Sequence, residues 1–235
     1  MESIIKLDKL EKVGIITFHR AINYGAMLQA VALQKAIEKM GLPSELIDYV
    51  DRLYDHYQIS YRSSNVVKSV IKYILYNKVR LRNKRFEDFL KSNAKISNEK
   101  FDNQSIHNIK ENDYRLFVTG SDQVFNPLIV DYDANYLLDF VKDKCKCNSY
   151  AASIGLEQLS EKDANWLKGY LVDFNKLLVR ERTGQDLLRA LDINNSELVV
   201  DPTLLLNMDE WAKMEHSVKT PKHYILDFYR FDLTG

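Results

Sequence analysis

Short, almost continuously apolar runs recur along the chain, at 13–18 (VGIITF), 45–49 (ELIDY), 115–119 (RLFVT), 148–152 (NSYAA), 176–180 (KLLVR), 197–200 (ELVV) and 224–228 (YILDF). A strand with one wet face alternates apolar and polar residues, whereas a strand buried on both faces does not. Between the runs lie helix-period stretches, and that alternation predicts an α/β fold, a mainly parallel sheet covered by helices. The clearest helix follows the first run without a gap: Ala26, Ala30, Leu33, Ile37 and Met40 draw one apolar stripe, Gly41 closes it, and Pro43 lies just beyond.

From Ser44 to Thr119 there is neither glycine nor proline. This interval predicts a helical insertion at about 52–112. Val67, Val70, Ile71, Ile74, Leu75, Val79, Phe86, Phe89 and Leu90 mark one face of a long helix or helix pair. The other face carries Lys68, Lys72, Lys78, Arg80, Arg82, Lys84, Arg85 and Lys91. Two readings of those cations stay open: a solvated face, or a patch that meets anionic lipid headgroups or acidic saccharides.

Composition excludes several classes. Lysine plus arginine (33) balance aspartate plus glutamate (33), which argues against a nucleic-acid partner. No run is long and apolar enough for a membrane span, and the first residues, MESIIKLDKLEKV, lack the pattern of a secretory signal. Cys145 and Cys147 stand too close together for an easy disulfide and have no second Cys/His pair to complete a zinc site. Reduced thiols, a cytoplasmic location and no metal are the expectations, with the basic helix leaving open a peripheral contact at the inner face of the membrane.

In parallel sheets ligands bind beyond the carboxyl ends of the strands. After the first run come His19 and Asn23-Tyr24-Gly25; after RLFVT come Gly120, Ser121 and Asp122; after NSYAA comes Ser153; then Arg180 and Asp201 follow the next two runs. Parallel pairing would gather all five exits on one rim. Asp122 is the candidate general base or hydroxyl-binding carboxylate, and His19 the second catalytic candidate. Asn23, Tyr24, Gly25, Gly120, Ser121, Ser153, Arg180 and Asp201 are candidate substrate-binding residues. Asn23 is placed to cap the helix, while Thr183 and Asp186 look like caps for GQDLLRAL. No GxGxxG fingerprint, phosphate loop or zinc helix occurs.

Five segments in order, GIITFHRAINYGAMLQAVALQKAIEKMG, FVTGSDQVFNP, SYAASIG, VRERTGQDLL and VVDPTLLL, resemble the polysaccharide pyruvyl transferase family. The resemblance implies a Rossmann-like N-terminal half of a GT-B-like two-domain architecture. Residues 1–215 would form that half, and 216–235 would begin a second domain that stops short. It also implies transfer of an enolpyruvyl group from phosphoenolpyruvate, as donor substrate and with no cofactor, to sugar hydroxyls of a cell-surface polysaccharide. The glycan acceptor can be one carried on a lipid. Two alternatives stand beside it: a glycosyltransferase of GT-B type using a nucleotide sugar, and a non-catalytic glycan-binding module.

Overall fold

The computed structural model describes residues 11–51 and 77–216, together with Pro221 and His223. The expected strand at 224–228 and the first part of the expected insertion, 52–76, lie outside those residues. Strand β1 (Lys12–Ile16) leads into helix α1 (Tyr24–Lys39) and strand β2 (Ser44–Tyr49). Helix α2 (Asn77–Asn93) precedes strand β3 (Ile96–Phe101), and strand β4 (Tyr114–Asp122) and strand β5 (Cys147–Ala152) follow. Helix α3 (Glu161–Leu171), strand β6 (Lys176–Val179), helix α4 (Arg182–Ala190), strand β7 (Ser196–Leu198) and helix α5 (Met208–Ala212) complete the order. Among the described residues, seven strands run parallel in one sheet, ordered β3-β2-β1-β4-β5-β6-β7.

Adjacent residues of the central strands enter opposite cores, which is why their sequences show no alternation. Ile15, Leu46 and Val118 pack with Ala30, Leu33, Phe86 and Leu206 on the face covered by α1 and α2. Ile16, Ile47 and Phe117 pack with Phe125, Leu137, Leu167 and Leu188 on the other. Asn23 does cap α1, its Oδ1 accepting from Ala26 N at 3.1 Å, and Gly41 closes it with φ of 81°. Helix α4, by contrast, begins at Arg182 after Glu181, so Thr183 and Asp186 lie inside it rather than at its cap.

The edge strand β3, ISNEKF, was not among the apolar runs and falls within the span read as an insertion. Among the described residues it pairs only with β2, and Asn98, Glu99 and Lys100 are exposed. Buried Gln34 ties α1 to its start, donating to Lys95 O and accepting from Lys95 N, both at 2.8 Å. Both cysteines are free; Cys147 is enclosed in β5, and burial pushes its thiol up to about 12.

At Gly120 the sheet and α1 approach closely: a Cβ there would stand 2.6 Å from Tyr150 O and 3.3 Å from a Leu33 methyl. Gly120→Ala should therefore destabilise the fold by about 1–3 kcal/mol, because the nearest atom is backbone. Gly169, inside α3 with open space around it, should gain about 0.5–1 kcal/mol on change to alanine. Thermal unfolding of the two variants should move in opposite directions.

Candidate functional site

Because β1 sits between β2 and β4, the chain winds outward from the β1/β4 pair in both directions, and the crevice of such a sheet opens beyond their carboxyl ends. Thr17, just past β1, is buried and donates its hydroxyl to Ser121 O at 3.2 Å, closing the seam between the two strands. Buried Gln29 of α1 donates to Thr17 Oγ1 at 2.9 Å and to Ala26 O at 2.8 Å. The start of the helix is thereby bolted to the seam.

Strand β4 ends in an unusual way. Ser121 (φ 31°) and Asp122 (φ 70°) both adopt left-handed backbone, and Ala151 in the neighbouring strand does so too (φ 50°). Non-glycine residues there cost about 1–3 kcal/mol each and persist only where their surroundings hold them. The holding contacts are visible: Asp122 O accepts from Ser153 N at 2.9 Å, and Asp122 Oδ1 accepts from Gln123 N at 2.9 Å. The turn leaves Asp122 part-exposed at the rim and Ser121 fully enclosed.

From Ser121 a polar chain runs across the exits of β5, β6 and β7. Ser121 Oγ donates to Asp201 Oδ2 at 3.2 Å, and Arg180 reaches the same oxygen at 3.3 Å. Arg180 Nε stands 3.6 Å from Glu181 Oε2. Glu181 Oε1 accepts from Ser153 Oγ at 2.5 Å and from Gly155 N at 3.3 Å. Val199 N still donates to Val179 O, extending the β6/β7 pairing by one residue, and Asp201 then caps a short 3-10 helix at Pro202–Leu205 while its Oδ2 meets the exits of β4 and β6. Burial alone would raise the Asp201 pKa; hydrogen bonds from the Thr203 backbone and hydroxyl, Ser121 and Arg180 outweigh it and hold the carboxyl below its ordinary value.

The candidates thus fall into four groups. Ser121, Ser153, Arg180 and Asp201 join one network, with Asp122 beside it. Asn23, Tyr24 and Gly25 are exposed around the start of α1, with the Tyr24 ring against Phe86 of α2, ring centroids 4.9 Å apart. Gly120 serves the close approach already described. His19 is wholly enclosed: its Nδ1–H donates to Thr17 O at 3.1 Å and its Nε2 faces Asp48 Oδ1 at 3.6 Å.

Asp48 and Arg20 form a pair that the strand pattern concealed, Arg20 Nε and its terminal nitrogen meeting the two carboxylate oxygens at 2.5 and 2.6 Å. The signal was present in ELIDY, where a carboxylate occupies an otherwise apolar buried run. Gln29, an amide on the buried side of an apolar helix, offered a weaker one. Among the described residues no group of three or more His, Cys, Asp or Glu side chains could hold a metal ion.

Burial pushes Asp48 up, but His19 and Arg20 beside it more than reverse that and hold the carboxyl well below its ordinary 3.8. A depressed folded pKa gives stability that is present above the unfolded value and lost as pH falls below it. Asp48→Asn should cost about 3–5 kcal/mol at pH 7, since it removes the carboxylate that part-buried Arg20 meets through two nitrogens. The gap between wild type and variant should narrow as pH drops below 3.8; urea midpoints at neutral and acid pH check this.

No curated protein and no solved structure matches the chain. The family model described as polysaccharide pyruvyl transferase matches residues 23–234, a span that holds α1 and the exits of β4, β5, β6 and β7. The chain belongs to the polysaccharide pyruvyl transferase family.

Proposed function

We propose that the chain takes part in transferring pyruvyl groups from phosphoenolpyruvate to hydroxyls of a cell-surface polysaccharide, in the cytoplasm, with the donor as substrate and no resident cofactor. In this reading the described sheet is the N-terminal half of a GT-B-like pair, and its rim forms one wall of the cleft. The observation that carries it is the linked set Ser121–Asp201–Arg180–Glu181–Ser153, spread over four strand exits beside part-exposed Asp122.

The chemistry suits those groups. A proton must reach the methylene carbon of the donor, two sugar oxygens must bond to its central carbon, and phosphate must leave. One hydroxyl proton ends on the new methyl group and the other on phosphate. Asp122 would accept a hydroxyl proton or orient the hydroxyl. Arg180, held between Asp201 and Glu181 at 3.3 and 3.6 Å, would turn toward the donor's phosphate or carboxylate, which can form shorter charge-assisted bonds than it now makes. Oriented donors on a rigid sheet edge require little rearrangement as charge develops.

Release of phosphate from phosphoenolpyruvate, dependent on an added glycan, is the direct test. Asp122→Asn should lower turnover by about 10²–10⁴-fold, the usual worth of a general base. Its thermal midpoint should stay within about 2 °C, because asparagine tolerates left-handed backbone and keeps an oxygen for Gln123 N. Undiminished turnover would remove Asp122 from the catalytic set. Phosphoenolpyruvate at a hundredfold excess over its Kd should stabilise the protein by about 2.7 kcal/mol. Protection by a nucleotide sugar instead would transfer the reading to a glycosyltransferase, and saccharide binding without phosphate release would leave a glycan-binding module.

A further inference from the structure

Between the first turns of α1 and helix α2 lies a groove of about 710 Å³, a size that takes a small ligand rather than a water cluster. Its floor is apolar, built by Met27, Leu81 and Phe86, with Tyr24 at one side. Leu81 is 48% exposed and Tyr24 63% exposed, although both are large apolar groups. Lys78, Arg82 and Arg85 line the same groove.

That arrangement decides between the two readings of the basic helix for this segment. A merely solvated polar face would carry its cations opposite the apolar residues. Here positions 78, 82, 85 and 89 follow helical spacing along one stripe, so the cations share it with Phe89 and border the apolar floor. None of the three is ion-paired to a carboxylate among the described residues. Arg82 meets the Asn83 side-chain oxygen at 3.4 Å, and among the described residues Asp88 is the one carboxylate in the lining. The chain as a whole carries no net charge, so this positive surplus is local.

We propose that the groove binds a single-chain lipid phosphate, its anionic head on Arg82 and Arg85 and its chain along Met27, Leu81 and Phe86. Guanidinium groups pair with phosphate oxygens through two hydrogen bonds at once, and the apolar floor supplies what a free phosphate could not use. The binding claim stands apart from the transfer chemistry. Its link to catalysis rests on that reading: a glycan esterified to the phosphate would leave the groove beside Tyr24, at the end of α1 that follows the β1 exit.

Calorimetric titration with dodecyl phosphate below its micelle-forming concentration, without phosphoenolpyruvate, tests the groove alone. Saturable binding is expected, with inorganic phosphate and the uncharged dodecyl maltoside binding far more weakly. Combined Arg82→Glu and Arg85→Glu should weaken binding by about tenfold or more, the worth of one lost charge-assisted contact or better. Leu81→Asp should weaken it as well. Combined Lys84→Glu and Lys91→Glu, both exposed on the same helix but outside the groove, should leave it unchanged and serves as the control matched in net charge.

Equal binding of dodecyl maltoside, or indifference to the charge reversal, overturns the proposal. So does capture by phosphatidylglycerol vesicles without binding of the single lipid, which would assign the cations to a membrane surface. A dimer that the charge reversal dissociates would show a second copy as the occupant and overturn it too. Phosphate release that persists without lipid binding would separate failure here from failure of the transfer reading.

Discussion

The seam between β1 and β4 is the constraint on which the other features depend. It is closed by one hydrogen bond from Thr17 to Ser121 O and by Gln29 reaching down from α1. Beside it, Gly120 leaves no side chain between β4, the Tyr150 carbonyl of β5 and Leu33, so that α1 lies close on the sheet. A wider seam would lift α1 off the sheet and with it the helix start that carries Asn23 and Tyr24. It would also release the left-handed turn at Ser121 and Asp122. Packed cores resist such a gap because every neighbour along it loses contact at once.

The charge pattern at the rim follows from that geometry. Ser121 is enclosed, so the network reaches it only because the segment after β7 delivers Asp201 to both Ser121 and Arg180. Two carboxylates then flank one part-exposed guanidinium, at distances longer than a tight ion pair. Such an arginine is positioned without being saturated, which is the state a residue needs if it is to exchange partners with an incoming anion. The Arg20–Asp48 pair is the opposite case. Its contacts are short, it lies under His19, and its charge is spent inside the protein.

How much of this was legible in the sequence varies with the range of the interaction. The central strands were, since burial on both faces leaves an unbroken apolar run that needs no partner to be seen. Edge strand β3 was not: with Asn98, Glu99 and Lys100 exposed, ISNEKF reads as a polar loop. The gathering of five strand exits was also legible, because parallel pairing guarantees it whatever the register. The contacts within that gathering were not. Ser121 and Asp201 stand 80 residues apart, and nothing local distinguishes their pairing from a simple turn at Asp201-Pro202. Thr17 and Gln29 were hidden for another reason, as each sits in an apolar segment where one uncharged polar residue breaks no pattern.

Helix α1 joins the two regions that the sequence kept separate. Its buried side, through Gln29 and Leu33, holds the seam under the rim, while its first turns, through Tyr24 and Met27, form a wall of the groove against α2. An occupant of the groove would therefore lie against the same turns that position the rim. Because Asn23 caps those turns and Gln29 fixes them one turn further on, displacement at one end cannot be absorbed by fraying alone. The helix would have to move as a unit, and Gly120, with Leu33 3.3 Å from its would-be Cβ, leaves little room for it to do so. The groove and the rim thus share one rigid element, fixed to the seam by Gln29 and capped at its groove end by Asn23.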